Sequence, residues 1–300
     1  MALISQHRIR DCAGRMIDVE KPFERIISLY PAHTENLFFL DADNLIAGVS
    51  RSDDYPPDVK GLPRFSAQNG PEKFLAARPD LVLVRPMIDR GYSPLIKRLE
   101  QFGIVVVSLQ PADVNEMFVY WQILGCLTGR QKQSDKMIRD FRKNIDLIRS
   151  MVCSIDEKDR KRVYFEAVNT KMKTFTPGAM PLFALETAGG VNVASDAISV
   201  RGTNIAYYGK EKIISKADRI DVYLSQHGAM NRSTKEIIRN EPGFSVIKAV
   251  REKQIYLVDE NLVSRPTMRL LSGILMIGEI LYPNIFASEE RIRGIQHEIY

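Results

Sequence analysis

The chain of 300 residues is poor in the residue types that mark several large functional classes. Its three cysteines, Cys12, Cys126 and Cys153, lie far apart, with no CxxC spacing and no histidine beside them. Zinc-ribbon and thiol-redox readings therefore have no support, and the odd count argues against a disulfide framework, leaving room for one bridge at most. Only four histidines occur, two of them near the termini. A bare zinc or manganese site needs about four converging histidine or carboxylate ligands, and so few histidines argue against one. No apolar run reaches the roughly 18 residues that a membrane-spanning helix requires. The opening MALISQHRIRDCAGR has no apolar core and is not a secretory signal; the chain is either cytoplasmic or a form whose leader has been removed. There is no GxSxG, no GxxxxGK[ST] and no GxGxxG, so the usual signatures of nucleophilic, P-loop and dinucleotide chemistry are missing.

What is present suits a soluble globular chain, with 45% hydrophobic and 26% charged residues and length enough for a substantial core. The formal charge of +5 is spread along the sequence among acidic residues. A nucleic-acid binder would concentrate it in a stripe, so no nucleic-acid partner is expected. Short β-branched runs, RIISL (25–29), LIAGV (45–49), LVLV (81–84) and IVVVSL (104–109), read as strands buried on both faces. Helical patterns alternate with them at 32–40, 71–77 and 93–102, the last stopped by Gly103, and a further helix runs from about Val114 to Leu127. The second half repeats the rhythm: RVYFEAV (162–168), a helix at 180–188 ended by Gly189-Gly190, DVYLSQ (221–226), QIYLV (254–258) and a final helix over 265–282.

Between the halves, from Gln131 to about Cys153, neither glycine nor proline occurs. Met137, Phe141, Ile145, Ile148 and Val152 mark one apolar helix face there. Such a helix is a stiff strut of roughly 30 Å. The expected fold is α/β: two Rossmann-like lobes joined by one long α-helix, with a ligand cleft between the lobes. Residues 1–130 form the first lobe, 131–157 the strut and 158–300 the second lobe. A short helix-strand unit is written twice, as PEKFLAARPDLVLVR (71–85) and KEKIISKADRIDVYLSQ (210–226). Each opens on a Glu-Lys pair and puts an aspartate, Asp80 or Asp221, ahead of the strand. In open α/β sheets ligands bind beyond the carboxyl ends of the strands, so the loops that follow strands should carry the function.

Those loops bring out a resemblance that runs from about residue 9 to 286. RIRDCAGRMIDVEKPFERIISLYPAHTENLFFL, LIAGVSRSDDYPPDVKGLPRF, PEKFLAARPDLVLV and EPGFSVIKAVREKQIYLVDENLVSRPTMRLL occur in that order. Together they resemble the substrate-binding proteins of ABC importers for iron-siderophores, haem and cobalamin. The resemblance implies a non-enzymatic, monomeric protein outside the cytoplasm, periplasmic or held to a membrane as a lipoprotein. It would have no resident cofactor, and would carry a metal chelate to an ABC permease dimer. It also implies an N-terminal β-hairpin and one permease-docking glutamate per lobe, Glu72 and Glu211.

The same resemblance puts a ligand-contacting aromatic at Tyr55, in DDYPP, where the residue also suits a turn tyrosine packed on Pro56. Tyr30 and His33 follow the first strand, and His33 fits a helix N-terminus equally well. Arg85 and Arg90 leave the third long strand, where guanidinium groups can fork onto carboxylate or catecholate oxygens or simply face solvent. Arg51 lies in the loop before Tyr55. Phe175, Tyr207 and Tyr208 stand where the family sets aromatics against flat ligands, and Arg201, His227, Met230 and Arg265 are further candidates of that kind. Several arginines with several tyrosines favour an anionic ferric siderophore, with haem and corrinoids as alternatives. The only tryptophan, Trp121, lies inside a helix, away from any cleft. Haem would need an axial Tyr or His, such as Tyr55 or His227. A competing class with two α/β lobes is the cytoplasmic metallocofactor or chelatase-like enzyme.

Overall fold

The computed structural model describes residues 2–5, 8–199 and 203–287. Two compact units emerge: Met1–Pro111 with Asn115–Arg139, and Ala112–Val114 with Asp140–Tyr300. Among the described residues, three sheets form.

In the first unit, an antiparallel sheet of β1 (Leu3–Ser5), β2 (Arg8–Arg10) and β3 (Met16–Asp18) contains the expected hairpin and one strand more. The main sheet is parallel throughout and is built of β4 (Ile26–Ser28), β5 (Ile46–Ser50), β6 (Arg64–Phe65), β7 (Leu81–Val84) and β8 (Val105–Ser108). Its order is β6-β5-β4-β7-β8. The chain therefore winds outward from β4 in one direction, then returns to lay β7 on the other side. Adjacent β4 and β7 flank the switch point, where open α/β sheets leave a crevice at their carboxyl ends. The helices α1 (Pro31–Phe39), α2 (Pro71–Ala77), α3 (Pro86–Gly91), α4 (Ser93–Gln101) and α5 (Val114–Thr128) connect the strands or follow them. All four residues of β7 are fully buried, as its unbroken LVLV demands, and Phe74 of α2 and Leu99 of α4 pack in the same core.

The long helix expected between the two halves of the sequence is α6 (Gln131–Val152), of 22 residues. Met137, Phe141, Ile145, Ile148 and Val152 are all buried, and the boundary between the two units falls inside it, after Arg139.

The second unit departs from a purely parallel plan. Strand β9 (Arg162–Val168) pairs in parallel with β14 (Val222–His227), which pairs in parallel with β15 (Ile255–Asp259). On its other edge β9 takes β11 (Val191–Asn192) in parallel at its start and β10 (Lys173–Phe175) antiparallel at its end. Strands β13 (Ile205–Tyr207) and β12 (Ile198–Ser199) extend the sheet from β10. Phe175 therefore does not lie in a loop after a strand, because Lys173–Phe175 form β10. The helices α7 (Met180–Thr187) and α8 (Lys210–Ser215) fall where the pattern put them. The final helix starts at Leu270, not at residue 265. Pro266 biases Arg265 away from helical backbone, and the segment instead makes a turn in which the Thr267 N–H donates to the Arg265 carbonyl at 3.0 Å. Among the described residues no helix is long and apolar enough to cross a membrane. All three cysteines are free thiols.

Candidate functional site

The first unit gathers its candidates at the β4/β7 switch point. Tyr30 follows β4 and Arg85 follows β7, and the Arg85 guanidinium lies 5.1 Å from the centre of the Tyr30 ring. Both side chains are half-buried, so a cation and an aromatic face stand together at the place where the topology opens. His33 lies beside them, edge-on to Tyr30 at 5.1 Å, but it is fully buried. Its Nε2 is 3.0 Å from the Val84 carbonyl, which can only accept, so Nε2 carries the proton. Nδ1 then accepts from the Tyr120 hydroxyl at 2.7 Å, and that hydroxyl in turn accepts from Asn36 at 3.1 Å. Burial lowers the His33 pKa to about 4, against the Val84 hydrogen bond, so the ring is neutral. With both nitrogens engaged and no exposed surface, His33 is a core residue that fixes α1 to the sheet; the expectation of a ligand contact does not hold.

Tyr55 and Arg51 lie in the loop after β5. Arg64 of β6 fastens that loop by donating to the carbonyls of Ser50 (3.1 Å), Asp53 (2.7 Å) and Val59 (2.9 Å). Tyr55 is half-buried and Arg51 exposed. Nothing in the sequence singled out Arg64, whose role depends on three carbonyls that only the folded loop turns toward it. Arg90 is exposed on α3, next to Asp89, which is salt-bridged to Arg15 at 2.7 Å.

The second unit places a carboxylate at its own switch point. Glu166 of β9 is fully buried. Its Oε2 accepts from Asn169 (2.8 Å) and Tyr223 (2.5 Å), and its Oε1 from Ser225 (2.7 Å), Asn231 (3.2 Å) and Ser233 (3.2 Å). The loop after β14 is thereby tied to the sheet. His227, the last residue of β14, is exposed with its Nδ1 3.1 Å from the Ser233 carbonyl, and Met230 in the loop is 53% accessible. A glutamate inside the apolar run RVYFEAV was the available signal for Glu166, and it read as a strand member.

Two aromatic candidates of this unit are corrected. Phe175 is 2% exposed and packs edge-on against Phe165 at 5.1 Å, because position 175 belongs to β10 and faces the core. Tyr208 is 3% exposed; its hydroxyl donates to Asp196 at 2.8 Å, and Lys212 and Lys216 cover its ring. Tyr207, by contrast, is 62% exposed on β13. Arg265 is half-buried in the turn before the last long helix. Arg201 lies outside the described residues.

The repeated helix-strand unit is a true structural repeat. Glu72 and Glu211 each occupy the second position of a short helix whose N-cap is a glycine, Gly70 or Gly209, and both are exposed. The lysine that follows reaches an aromatic ring in each case, Lys73 over Phe65 at 5.0 Å and Lys212 over Tyr208 at 5.3 Å. The aspartates repeat as well. Asp80 accepts from the Arg25 N–H at 2.9 Å and returns its own N–H to the Arg25 carbonyl at 3.0 Å. Asp221 does the same with Arg162, at 2.9 and 2.8 Å. Two additional residues separate Glu211 from Asp221, compared with Glu72 from Asp80, and a 3-10 turn over Ala217–Arg219 takes up the difference.

With this geometry in hand, comparisons with known proteins agree on one family. A profile described as "Periplasmic binding protein" matches residues 26–262. The uncharacterized ABC transporter substrate-binding lipoprotein YvrC of Bacillus subtilis is 26% identical over 282 residues, covering 93% of this chain and 86% of its own. A vitamin B12-binding protein of Vibrio cholerae is 25% identical over 261 residues, covering 85% of this chain and 88% of its own. Among solved structures, a possible iron-binding (periplasmic solute-binding) protein from Staphylococcus epidermidis superposes with a TM-score of 0.76 at 30% identity, over 87% of this chain and 100% of that one.

Proposed function

The chain belongs to the periplasmic binding protein family, and on that premise we propose that it is the extracytoplasmic substrate-binding component of an ABC importer, capturing a ferric siderophore. It is a binding protein and not a catalyst, which removes the chelatase-like alternative. The observation that carries the ligand class is Arg85 over Tyr30 at the first unit's switch point. A guanidinium backed by an aromatic face suits a flat, anionic chelate. Arg51 and Tyr55 extend the same chemistry along the neighbouring loop, and Tyr207, His227, Met230 and Arg265 are the second unit's proposed contacts. An iron ligand is in keeping with the name of the Staphylococcus epidermidis protein. Capture outside the cytoplasm, by a protein held to the membrane through a lipid, follows the name of the Bacillus subtilis relative.

A corrinoid is the second reading, supported by the vitamin B12-binding proteins at 25% identity. Against it stands Trp121, which is fully buried in α5 and offers no face to a corrin ring. Haem, with Tyr55 or His227 as axial ligand, is the third.

A thermal-shift panel of ferrioxamine B, ferric enterobactin, haemin and cyanocobalamin separates these readings. A ligand at 100 times its dissociation constant stabilises its protein by about 2.7 kcal/mol, a shift of several degrees. We expect that shift with a ferric siderophore. A shift with cyanocobalamin or haemin alone would transfer the assignment to that ligand, and none with any would overturn the chelate reading.

A further inference from the structure

Glu166 is a buried carboxylate whose five side-chain partners are all neutral. Such a group is expensive to bury, and a well-packed apolar residue would serve simple stability better. The cost is offset by the donors gathered on the two oxygens, of which Asn231 and Ser233 are shared, Asn231 with the Gln226 carbonyl at 2.8 Å and Ser233 with the Ser225 hydroxyl at 2.8 Å. Two of those donors, Asn231 and Ser233, come from the loop after β14, and both are almost fully buried at 4% exposure.

The rest of that loop is built around them. The Asn231 amide also donates to the Gln226 carbonyl at 2.8 Å and accepts from the Asn169 N–H at 3.1 Å. The Gly228 N–H donates to the Asn231 carbonyl at 2.9 Å, and the Met230 N–H donates to the Glu260 carboxylate at 3.1 Å. The inward residues thus end on Glu166 while His227 and Met230 face outward. The strand order places this assembly between the carboxyl ends of β9 and β14. That position corresponds to the gap between β4 and β7, because Arg162 and Asp221 pair as Arg25 and Asp80 do.

We infer that Glu166 is the positioning residue for the second unit's ligand loop, holding residues 228–233, which follow β14, in the conformation that presents Met230 beside His227 at the strand end. This rests on the reading that the loop contacts a chelate. Glu166 touches no ligand itself. It acts as an acceptor on both oxygens, and the amide of a glutamine would turn an NH2 group toward Asn169 or Asn231 Nδ2, which can only donate.

Backbone amide exchange in the full chain tests the inference. In Glu166→Gln, the amides of Asn169, Gly228 and Met230 should exchange at least about tenfold faster, while those of Tyr223 and Val193, bonded within the sheet, keep their protection. The double variant Glu166→Gln with Asn169→Asp should restore slow exchange, because the new amide then donates to a carboxylate one partner away. A residue that merely filled space would not be rescued in this way. If Glu166→Gln does not fold, Ser233→Ala, which removes one donor, should show the same local loosening on a smaller scale.

Unchanged loop exchange in whichever of these variants folds, or a loss of protection spread evenly over the sheet, overturns the inference. Titration with ferrioxamine B, haemin and cyanocobalamin separates it from the functional reading. A fall in affinity of about tenfold in Glu166→Gln, with recovery in the double variant, supports both. A loosened and rescued loop with affinity unchanged, or with no binding to any probe, leaves Glu166 in control of the loop and overturns the loop's role as a ligand contact.

Discussion

The neutral ring of His33 illustrates how burial decides the chemistry of a single residue. Its pKa in the folded protein, about 4, lies below the ordinary 6.5, so as pH falls the unfolded chain takes up the proton first. The stability that depends on neutral His33 is complete above about pH 6.5. It is lost progressively down to about pH 4 and changes no further below that. The difference corresponds to about 3 kcal/mol. His33→Gln should therefore cost about 1–3 kcal/mol at pH 7.5, because the Val84 carbonyl and the Tyr120 hydroxyl lose their shared partner. The gap between variant and wild type should close as pH approaches 4. Urea unfolding of both proteins at pH 7.5 and 4.5 measures it. A gap that stays constant would show that His33 is not the titrating group. A histidine placed just after a strand looks the same in sequence whether it faces a ligand or a tyrosine hydroxyl. The deciding partner, Tyr120, is 87 positions away.

At the scale of elements, the two aspartates that lead into β7 and β14 do the same work with different strength. Asp80 accepts two backbone N–H groups, those of Glu24 and Arg25. Asp221 accepts one backbone N–H, both sides of the Arg162 guanidinium and the Lys248 ammonium. Burial works to raise the Asp221 pKa, but the Arg162 and Lys248 bonds outweigh it and hold the carboxyl well below the usual range. Asp80→Ala and Asp221→Ala should each cost about 1–3 kcal/mol in denaturant unfolding, with Asp221 the larger. The Asp221 contribution is present above the ordinary carboxylate pKa and fades as pH drops below it. Equal losses at both sites would refute the ionic component. These units were legible because their signals are local. LVLV forms a strand at the residues where it is written, PEKFLAA is a helix from its proline to its last alanine, and the apolar steps from Met137 to Val152 lie along α6. The short strands β10, β12 and β13 were not legible, since two or three residues such as KTF or IAY carry no periodicity and take their conformation from pairing with distant segments. The candidate site divides in the same way. Tyr30 and Arg85 were found because position after a strand is a local property. The burial of Phe175, the network on Glu166 and the hold of Arg64 on the Tyr55 loop arise from residues that meet only in the folded chain.

At the scale of the whole molecule, each unit presents one exposed glutamate at the same helical position, backed by the same lysine and the same aspartate clamp. A glutamate in a first helical turn is stabilised by the helix dipole, by about 0.3–1 kcal/mol, and that alone would account for either one singly. It does not account for exposure, helix position and supporting partners all recurring together, down to a 3-10 turn that absorbs two inserted residues and restores the aspartate to its arginine. We propose that the repetition serves delivery to a permease dimer, one acidic contact for each half, since opposite charges speed and orient such encounters. Glu72→Ala combined with Glu211→Ala should therefore lower stability by no more than about 1–2 kcal/mol, the sum of two dipole contributions. Affinity for the chelate should be unchanged in the thermal-shift assay, while transport into proteoliposomes carrying the permease is abolished. Each single variant should lose part of the transport, and the wild-type rate should fall as salt screens the contact. Weakened chelate binding in the double variant would place these glutamates in the ligand site. Full transport with both removed would leave the helix dipole as their whole explanation.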